Sequence, residues 1–167
     1  MSTGLEGMRS ALLAGEMASR RQAKQATLGR THVALLTKVP LFAGLSRRHL
    51  HRLADLAEEV RFRAGATVVR YQSRGDAFFV IIDGKAKVTA GYSARAFARL
   101  GPGDFFGELA LLDGRPRTAS VVAETPLVMI RIPRAGFLKM LRDEPDVAIK
   151  ILAELSQRLR RERSATH

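Results

Sequence analysis

The chain has 167 residues, a formal net charge of +12 and no cysteine, which excludes disulfides and thiolate metal sites. With 46% hydrophobic and 26% charged residues, it has the composition of one globular domain with appendages, and it shows neither a transmembrane-length apolar run nor a signal peptide. We therefore expect a cytoplasmic protein, whose positive charge indicates either an anionic partner or a compositional bias toward arginine.

The first segment, residues 1–33, is basic and rich in alanine. Met8, Leu12, Leu13 and Met17 recur with approximate helical spacing, which indicates a marginal amphipathic helix. The alternative is a solvated, flexible tail, and of the two interpretations the tail is favoured. We predict a separate domain over residues 34–167.

Residues 34–57 are predicted to form a helical lead-in to that domain. The segment VPLFAGLS, Val39–Ser46, is expected to dock on the core, and Ser46 can cap the helix that follows. His49 and His51 fall on the polar side of this helix. Because a metal site needs more ligands than lie nearby, both are predicted to be surface residues.

From residue 58 to residue 132 the pattern changes to short β-rich runs. Turn sequences separate these runs about every 8 to 12 residues, and no helical periodicity is present, as in antiparallel sandwiches and barrels. Asp83-Gly84 has the composition of a two-residue hairpin turn, and Gly101–Asp104 that of a tight corner. We predict an α+β fold built on an eight-stranded antiparallel β-barrel or jelly roll.

Helical periodicity returns over residues 134–163. A short helix, Arg134–Asp143, is followed by a longer one that begins at Pro145, a residue favoured in the first helical turn. Apolar residues of the longer helix repeat every four positions and are predicted to face the core. They are Val147, Ile151, Leu155 and Leu159, with Ala148 and Leu152 beside them.

The stretch FGELALLDGRPRTASV, Phe106–Val121, has the strongest chemical signature. Gly107 permits close approach to the backbone, and a helical turn starting at Glu108 would present unpaired N–H groups to an anion. Pro116 stiffens the return, so that Arg117 is held in place. The carboxylate cannot bind the same anion, and we expect it to accept hydrogen bonds from hydroxyl groups. A phosphate joined to a ribose meets both requirements; an exposed Glu–Arg ion pair is the alternative.

This stretch resembles the phosphate-binding cassette of the cyclic nucleotide-binding domain family. That family includes bacterial catabolite activator proteins, regulatory subunits of cyclic-AMP-dependent kinase and cyclic-nucleotide-gated channels. Its pattern F-G-E-L-A-L…P-R-[TSA]-A stands here as FGELALLDGRPRTA, and the resemblance extends over residues 40–163. It implies a sensor or regulatory module, not an enzyme, with cyclic AMP or cyclic GMP as its ligand and with no metal or other cofactor.

The resemblance also implies roles for individual residues. Glu108 would accept the ribose 2′-hydroxyl, and Arg117 would pair with the cyclic phosphate. Backbone N–H groups of Ala110 and Thr118 would complete the phosphate cradle. The implied ligand-binding set is Gly107, Glu108, Leu109, Ala110, Arg117, Thr118 and Ala119.

The base is less well specified by the cassette. In the family, a threonine at the position of Thr118 is associated with cyclic GMP, but bacterial cyclic-AMP sites also have a hydroxyl there. Ala98 in the preceding strand offers no polar contact to guanine. Cyclic AMP is therefore favoured, with cyclic GMP as the alternative.

A switch is implied as well. Leu111 would pack against Phe137 of the hinge helix when ligand is bound, and the last helix would close over the base as a lid. Ile151, Leu155 and Arg158 are the candidate lid contacts, with ordinary core packing as the alternative for the apolar residues.

No output domain follows the last helix in this sequence. Only a few residues come after Arg163, too few for the helix-turn-helix found in bacterial transcription factors of the family. We therefore expect a stand-alone sensor that acts on an unidentified effector protein, in an oligomeric state left open. The alternatives are a protein that binds nucleic acid or an acidic membrane through its basic termini, or a family member that binds another ligand or none.

Overall fold

The computed structural model describes the backbone of residues 3–165; among these, the side chains of residues 3–5, 24–28, 109 and 162 are not described. Helices α1 to α5, eight strands and one 3-10 turn follow one another along the chain. In order, they are α1 (Thr3–Thr37), the 3-10 turn (Pro40–Phe42), α2 (Arg47–Asp55), β1 (Glu58–Phe62), β2 (Thr67–Val69), β3 (Ala77–Asp83), β4 (Ala86–Ala90), β5 (Ala96–Leu100), β6 (Phe105–Phe106), α3 (Glu108–Asp113), β7 (Ala119–Ala123), β8 (Leu127–Pro133), α4 (Arg134–Asp143) and α5 (Pro145–Ala165).

The strands form two four-stranded sheets. One has the order β1-β8-β3-β6 and the other the order β2-β7-β4-β5. Every pair of neighbouring strands is antiparallel. The predicted α+β fold, an eight-stranded jelly roll with helices before and after it, is therefore confirmed.

Strand β3 explains how two cores can share one sheet. Its first five residues are all buried, without the alternation of a half-exposed strand. Phe78 and Val80 point into a cluster with the helices, whereas Phe79 and Ile81 point into the space between the sheets. The five residues AFFVI are therefore all apolar because both faces of this strand are covered.

The turn Asp83-Gly84 was predicted to be a hairpin, and that prediction is wrong. Strand β3 is bonded to β8 and β6, and strand β4 to β7 and β5, so the turn carries the chain from one sheet to the other. Gly84 has φ +96°, and a Cβ there would collide with the carbonyl oxygen of Pro126. The glycine is needed, but a turn sequence does not determine which strands pair.

The N-terminal segment is helical in the structure, where a solvated tail was the favoured interpretation. Helix α1 continues through residue 33, the predicted domain boundary, which stays a prediction. Residues 6–23 are exposed, whereas the end of α1 packs on the domain, with His32 6% and Leu36 0% exposed. The weak periodicity of the exposed part reflects the absence of a core for it to face among the described residues.

Helix α2 begins as predicted, but one of its histidines does not lie on the surface. Ser46 Oγ accepts the backbone N–H of His49 at 3.3 Å. The His49 side chain is only 12% exposed, and its Nε2 lies 2.8 Å from Glu144, which also pairs with Arg52. His51 is exposed, as predicted. The prediction for His49 is wrong because the end of α4 docks against this face of α2.

Helix α5 is buried over less of its length than its periodicity predicts. Val147 and Ile151 are buried and Leu155 packs against the same cluster, but Leu152 is 62% and Leu159 61% exposed. The prediction that Leu152 and Leu159 face the core is therefore wrong. The helix continues to residue 165, whereas its burial in the core ends near residue 155.

The buried His32 makes stability depend on pH. Desolvation lowers the pKa of His32, partly opposed by Glu59, and its Nε2 has no hydrogen-bond partner among the described residues. The unfolded state binds a proton at His32 more readily than the folded state does. The contribution of His32 to the free energy of unfolding is therefore fully present above about pH 6.5, the ordinary histidine pKa, and is lost as the pH falls toward the lower pKa of the folded state. Urea unfolding between pH 8 and pH 5 should show a smaller loss for His32→Gln than for wild type. His51→Gln, at an exposed position, should keep the wild-type slope; equal slopes for all three proteins would contradict this expectation.

Candidate functional site

A cavity of about 500 Å³ opens beside α3, between β6 and the start of β7. Six of the seven residues predicted to bind ligand line it. They are Gly107, Glu108, Ala110, Arg117, Thr118 and Ala119. The seventh, Leu109, lies in α3, and its side chain is outside the part of the chain that the structure describes.

Gly107 lets the arginine approach the start of α3. It is the N-cap of this helix, with φ +81° and ψ 15°, a left-handed conformation in which a side chain is strained. A Cβ at this position would collide with Nη1 of Arg117 and would lie 2.9 Å from the carbonyl oxygen of Ala77. Glycine is therefore required both by the backbone conformation and by the contact with the guanidinium.

Helix α3 is short, and its N-terminal end lines the cavity. In a helix that begins at Glu108, the backbone N–H groups of the first turn, including that of Ala110, have no acceptor within the helix. The helix ends at Asp113, and its C-cap Gly114 donates its N–H to the carbonyl oxygen of Ala110 at 3.1 Å. The free N–H groups at its start favour an acceptor with negative charge.

Arg117 is a buried cation held by the backbone around it. It is 8% exposed, and Nη2 donates to the carbonyl oxygen of Ala77 at 2.6 Å. Its backbone N–H donates to the carbonyl oxygen of Ser73 and its own carbonyl oxygen accepts from the N–H of Gln72, both at 2.8 Å. Nε is buried without a hydrogen-bond partner among the described residues. The guanidinium is therefore fixed in place with donor capacity left over.

Burial also affects the charge of this group. Desolvation lowers the pKa of Arg117, Asp76 opposes the shift and Arg131 adds to it. An arginine nevertheless remains protonated in proteins, so a cation is held in a site of low polarity. Electrostatic attraction to an anion is stronger there than in water.

Glu108 does not pair with Arg117, contrary to the alternative interpretation of the motif. One carboxylate oxygen, Oε1, lies 2.9 Å from Nη2 of Arg158 on α5. The other, Oε2, is buried and has no hydrogen-bond partner among the described residues, and the side chain is 13% exposed. The carboxylate thus retains an oxygen that can accept a hydrogen bond from a hydroxyl group.

An apolar wall, which the motif alone did not predict, completes the cavity. It is made by Val69, Val88, Phe105, Phe106 and Val121. Phe106 stacks on Phe79, with ring centroids 5.0 Å apart. Such a surface fits a flat aromatic group. The inward positions of the strands, read from their alternation, are the signal that could have identified the valines. Asp113 and Arg115 also line the cavity and were not predicted.

Four of the five residues proposed for the hinge and lid belong to the apolar core or pack against it. Leu111, Phe137 and Ile151 are each at most 1% exposed and belong to one cluster, against which Leu155 packs. Helix α3 contacts α4, and α4 contacts α5. The cavity is therefore connected to the C-terminal helix both through this core and through the ion pair of Arg158.

The described part of the chain contains no group of three or more histidine, aspartate or glutamate side chains placed to hold a metal ion. None of the described helices is both long and apolar enough to cross a membrane.

Comparison with known proteins gives a family and several relatives. The model of a family described as "Cyclic nucleotide-binding domain" matches residues 59–144. A cAMP-dependent protein kinase regulatory subunit from Aspergillus fumigatus is 37% identical over 121 residues, which is 71% of this chain and 29% of that protein. The cGMP-dependent protein kinase egl-4 of Caenorhabditis briggsae is 37% identical over 116 residues, 66% of this chain and 16% of that protein. The chain thus spans less than a third of the length of these relatives.

Solved structures show the same similarity in three dimensions. The N-terminal domain of a transcriptional regulator from Streptomyces coelicolor A3(2) superposes with a TM-score of 0.72 at 30% identity, over 78% of this chain and 96% of that one. The catabolite activator protein of Thermus thermophilus gives a TM-score of 0.60 at 29% identity, over 77% of this chain and 62% of that one.

Proposed function

Because the chain belongs to the cyclic nucleotide-binding domain family, we propose that it is a sensor that binds a cyclic nucleotide in the cavity beside α3 and signals through its C-terminal helix to a partner protein. The family is regulatory rather than catalytic. The observation that supports this proposal most directly is the buried guanidinium of Arg117, packed on Gly107 at the start of α3.

The phosphate would lie between Arg117 and the first turn of α3. The guanidinium supplies charge-assisted hydrogen bonds, and the N–H groups at the start of the helix, with that of Ala110 among them, supply neutral ones. Because Arg117 is held by Ala77 and by the backbone of residues 72–73, little side-chain entropy is lost on binding.

The sugar and the base would occupy the rest of the cavity. Oε2 of Glu108, which lacks a protein partner among the described residues, would accept a hydrogen bond from the ribose 2′-hydroxyl. The base would lie against the valines and phenylalanines of the apolar wall. A cavity of about 500 Å³ is within the range of small-ligand sites.

Calorimetric titration of the full chain with cyclic AMP and cyclic GMP tests this proposal. We expect a dissociation constant in the micromolar range or tighter for at least one nucleotide, or about −8 kcal/mol. Glu108→Ala should weaken that affinity by about tenfold, since one hydrogen bond to a charged group is lost. If neither nucleotide binds at millimolar concentration, the proposed function is wrong.

We favour cyclic AMP as the ligand, and Thr118 allows this choice to be tested. Thr118 lines the cavity and is exposed, so its hydroxyl can donate to or accept from a base. We expect Thr118→Ala to weaken cyclic GMP binding by about fivefold, the value of one neutral hydrogen bond, with little effect on cyclic AMP. Thr118→Ser keeps the hydroxyl and should bind both nucleotides as wild type does. Equal losses for the two nucleotides in parallel titrations would show that this hydroxyl does not select the base.

The lid is proposed to be the C-terminal half of α5, because Arg158 reaches from it to Glu108. Nucleotide should slow amide hydrogen exchange in this part of α5, and Arg158→Ala should remove most of that protection. The stability of the variant should change by less than about 1 kcal/mol, since the ion pair is partly exposed. Arg160→Ala, at an exposed position on the same helix, is the matched control. Unchanged protection in Arg158→Ala would argue against a lid held through this contact.

The partner is proposed to be an effector protein. The relatives that match include regulatory subunits of cAMP-dependent kinase, in which a domain of this kind belongs to a longer regulatory chain. The C-terminal helix, with Leu152 and Leu159 exposed, is the element through which such an effector would detect the state of the cavity.

A further inference from the structure

A second cavity, of about 660 Å³, lies on the other side of α3, between the loop before β3 and the start of α4. It shares only Asp113 with the cavity described above, and Arg117 does not line it. Its charged lining consists of Arg74, Arg131, Arg134, Arg142, Asp76 and Asp113. The arginines outnumber the carboxylates two to one, so the cavity has an excess of positive charge.

The carboxylates leave much of that charge uncompensated. Asp113 accepts a hydrogen bond from the backbone N–H of Arg115 at 3.0 Å. Asp76 lies 3.6 Å from Arg131, too far for a good hydrogen bond, and Arg131 is also 3.4 Å from Glu58. Arg74 and Arg142 are exposed and form no ion pair with any described residue.

Arg134 links this cavity to α3. Its Nη2 donates to the carbonyl oxygen of Leu112 at 3.2 Å, and the guanidinium packs against Gly114, where a Cβ would lie 2.9 Å from Cζ. Its Nε is buried without a hydrogen-bond partner among the described residues. The guanidinium is thus held against the end of α3, and most of its five N–H donors are not used by that contact.

The first turn of α4 adds neutral donors to the same place. Its N-cap, Pro133, makes no side-chain hydrogen bond to the helix. The backbone N–H of Arg134 is used by the carbonyl oxygen of Asp76 at 2.8 Å. Ala135, the next residue of that turn, lines the cavity. The N-terminus of this ten-residue helix, which carries the partial positive charge of the helix dipole, therefore lies beside the arginines of the cavity.

We propose that this cavity is a second anion-binding site, specific for a small polyphosphate. The planar fork of a guanidinium group can donate two parallel hydrogen bonds to two oxygens of one phosphate. Four arginines line this cavity of about 660 Å³. A chain of two or three phosphates carries more negative charge than a single phosphate and offers more oxygens to these four cations.

Calorimetric titration of the full chain with inorganic tripolyphosphate at low salt tests this site, with inorganic phosphate as a weaker-binding comparison. Arg74→Ala/Arg142→Ala removes two exposed cations that lie outside the first cavity and make no ion pair among the described residues. We expect this double variant to bind tripolyphosphate at least about tenfold more weakly. It should bind a cyclic nucleotide as wild type does, so failure of this proposal and failure of the proposed function are distinguishable.

Two controls separate a defined site from general attraction by a basic protein. Arg160→Ala/Arg163→Ala removes the same charge from the exposed end of α5 and should bind tripolyphosphate within about twofold of wild type. Arg117→Ala should keep affinity within about threefold of wild type, because Arg117 lies in the other cavity and acts on Asp76 and Arg131 of this one only through space. The proposal is overturned if wild type does not bind tripolyphosphate, if the α5 control loses as much affinity as Arg74→Ala/Arg142→Ala, or if Arg117→Ala abolishes binding.

Discussion

Arg117→Ala is expected to weaken cyclic nucleotide binding by about 100-fold or more. The substitution removes the one buried cation of the cavity beside α3, among the residues that the structure describes. With it go the two hydrogen bonds that Arg117 is proposed to donate to the phosphate. A hydrogen bond to a charged group is worth about 1.5–3 kcal/mol, and two of them account for a loss of this size. Titration calorimetry with the preferred nucleotide measures it directly.

The matched control for this experiment is Arg115→Ala. Arg115 lines the same cavity two residues away, but it is exposed, so its charge is screened by solvent. Its loss should reduce affinity by no more than about threefold. Because Arg117 also donates to Ala77, circular dichroism and urea unfolding must show that the Arg117 variant is folded. If the Arg117→Ala protein is folded and binds the nucleotide with wild-type affinity, Arg117 does not contribute to binding.

Phe137→Ala is expected to lower the free energy of unfolding by about 3–5 kcal/mol. The Phe137 ring is fully buried, lies 6.2 Å from the ring of Phe42 between centroids, and belongs to the same cluster as Leu111 and Ile151. Removing it leaves a cavity where α3, α4 and α5 meet. Since small domains have a total stability of about 5–15 kcal/mol, this one substitution should shift the urea midpoint strongly.

Phe97→Ala is the control, because it removes the same side chain from a position that is 64% exposed. It should change the unfolding free energy by less than about 0.5 kcal/mol. If the two variants unfold at the same urea concentration, the packing of Phe137 does not contribute to the stability of the domain.

The cassette could be predicted because its requirements are local. A left-handed glycine before a short helix and a proline before an arginine are consequences of backbone geometry within a dozen residues. The structure places Gly107, Glu108 and Arg117 around one cavity, as their sequence pattern implies. The two closing helices were found for the same reason: Pro145 and the spacing of the apolar residues are signals within each helix.

Three of the errors concern contacts between residues distant in the sequence. Asp83-Gly84 has the composition of a hairpin, but the strands on either side find other partners. His49 lies on the polar side of α2, and only the position of Glu144 at the end of α4 shows that it is covered. Leu159 continues the period of α5, but the core ends before it. A local sequence pattern does not specify which distant helix or strand packs against a given face of an element.

The double burial of β3 has a consequence for cooperativity. The carbonyl oxygen of Ala77, the first residue of this strand, holds Arg117, and the side chains that follow enter both apolar clusters in turn. Neither cluster can be exposed alone without disturbing the strand that belongs to both. The hydrogen bond between Arg117 and Ala77 should therefore be lost only when the whole domain unfolds in one two-state transition. The exposed part of α1 can unwind independently of that transition.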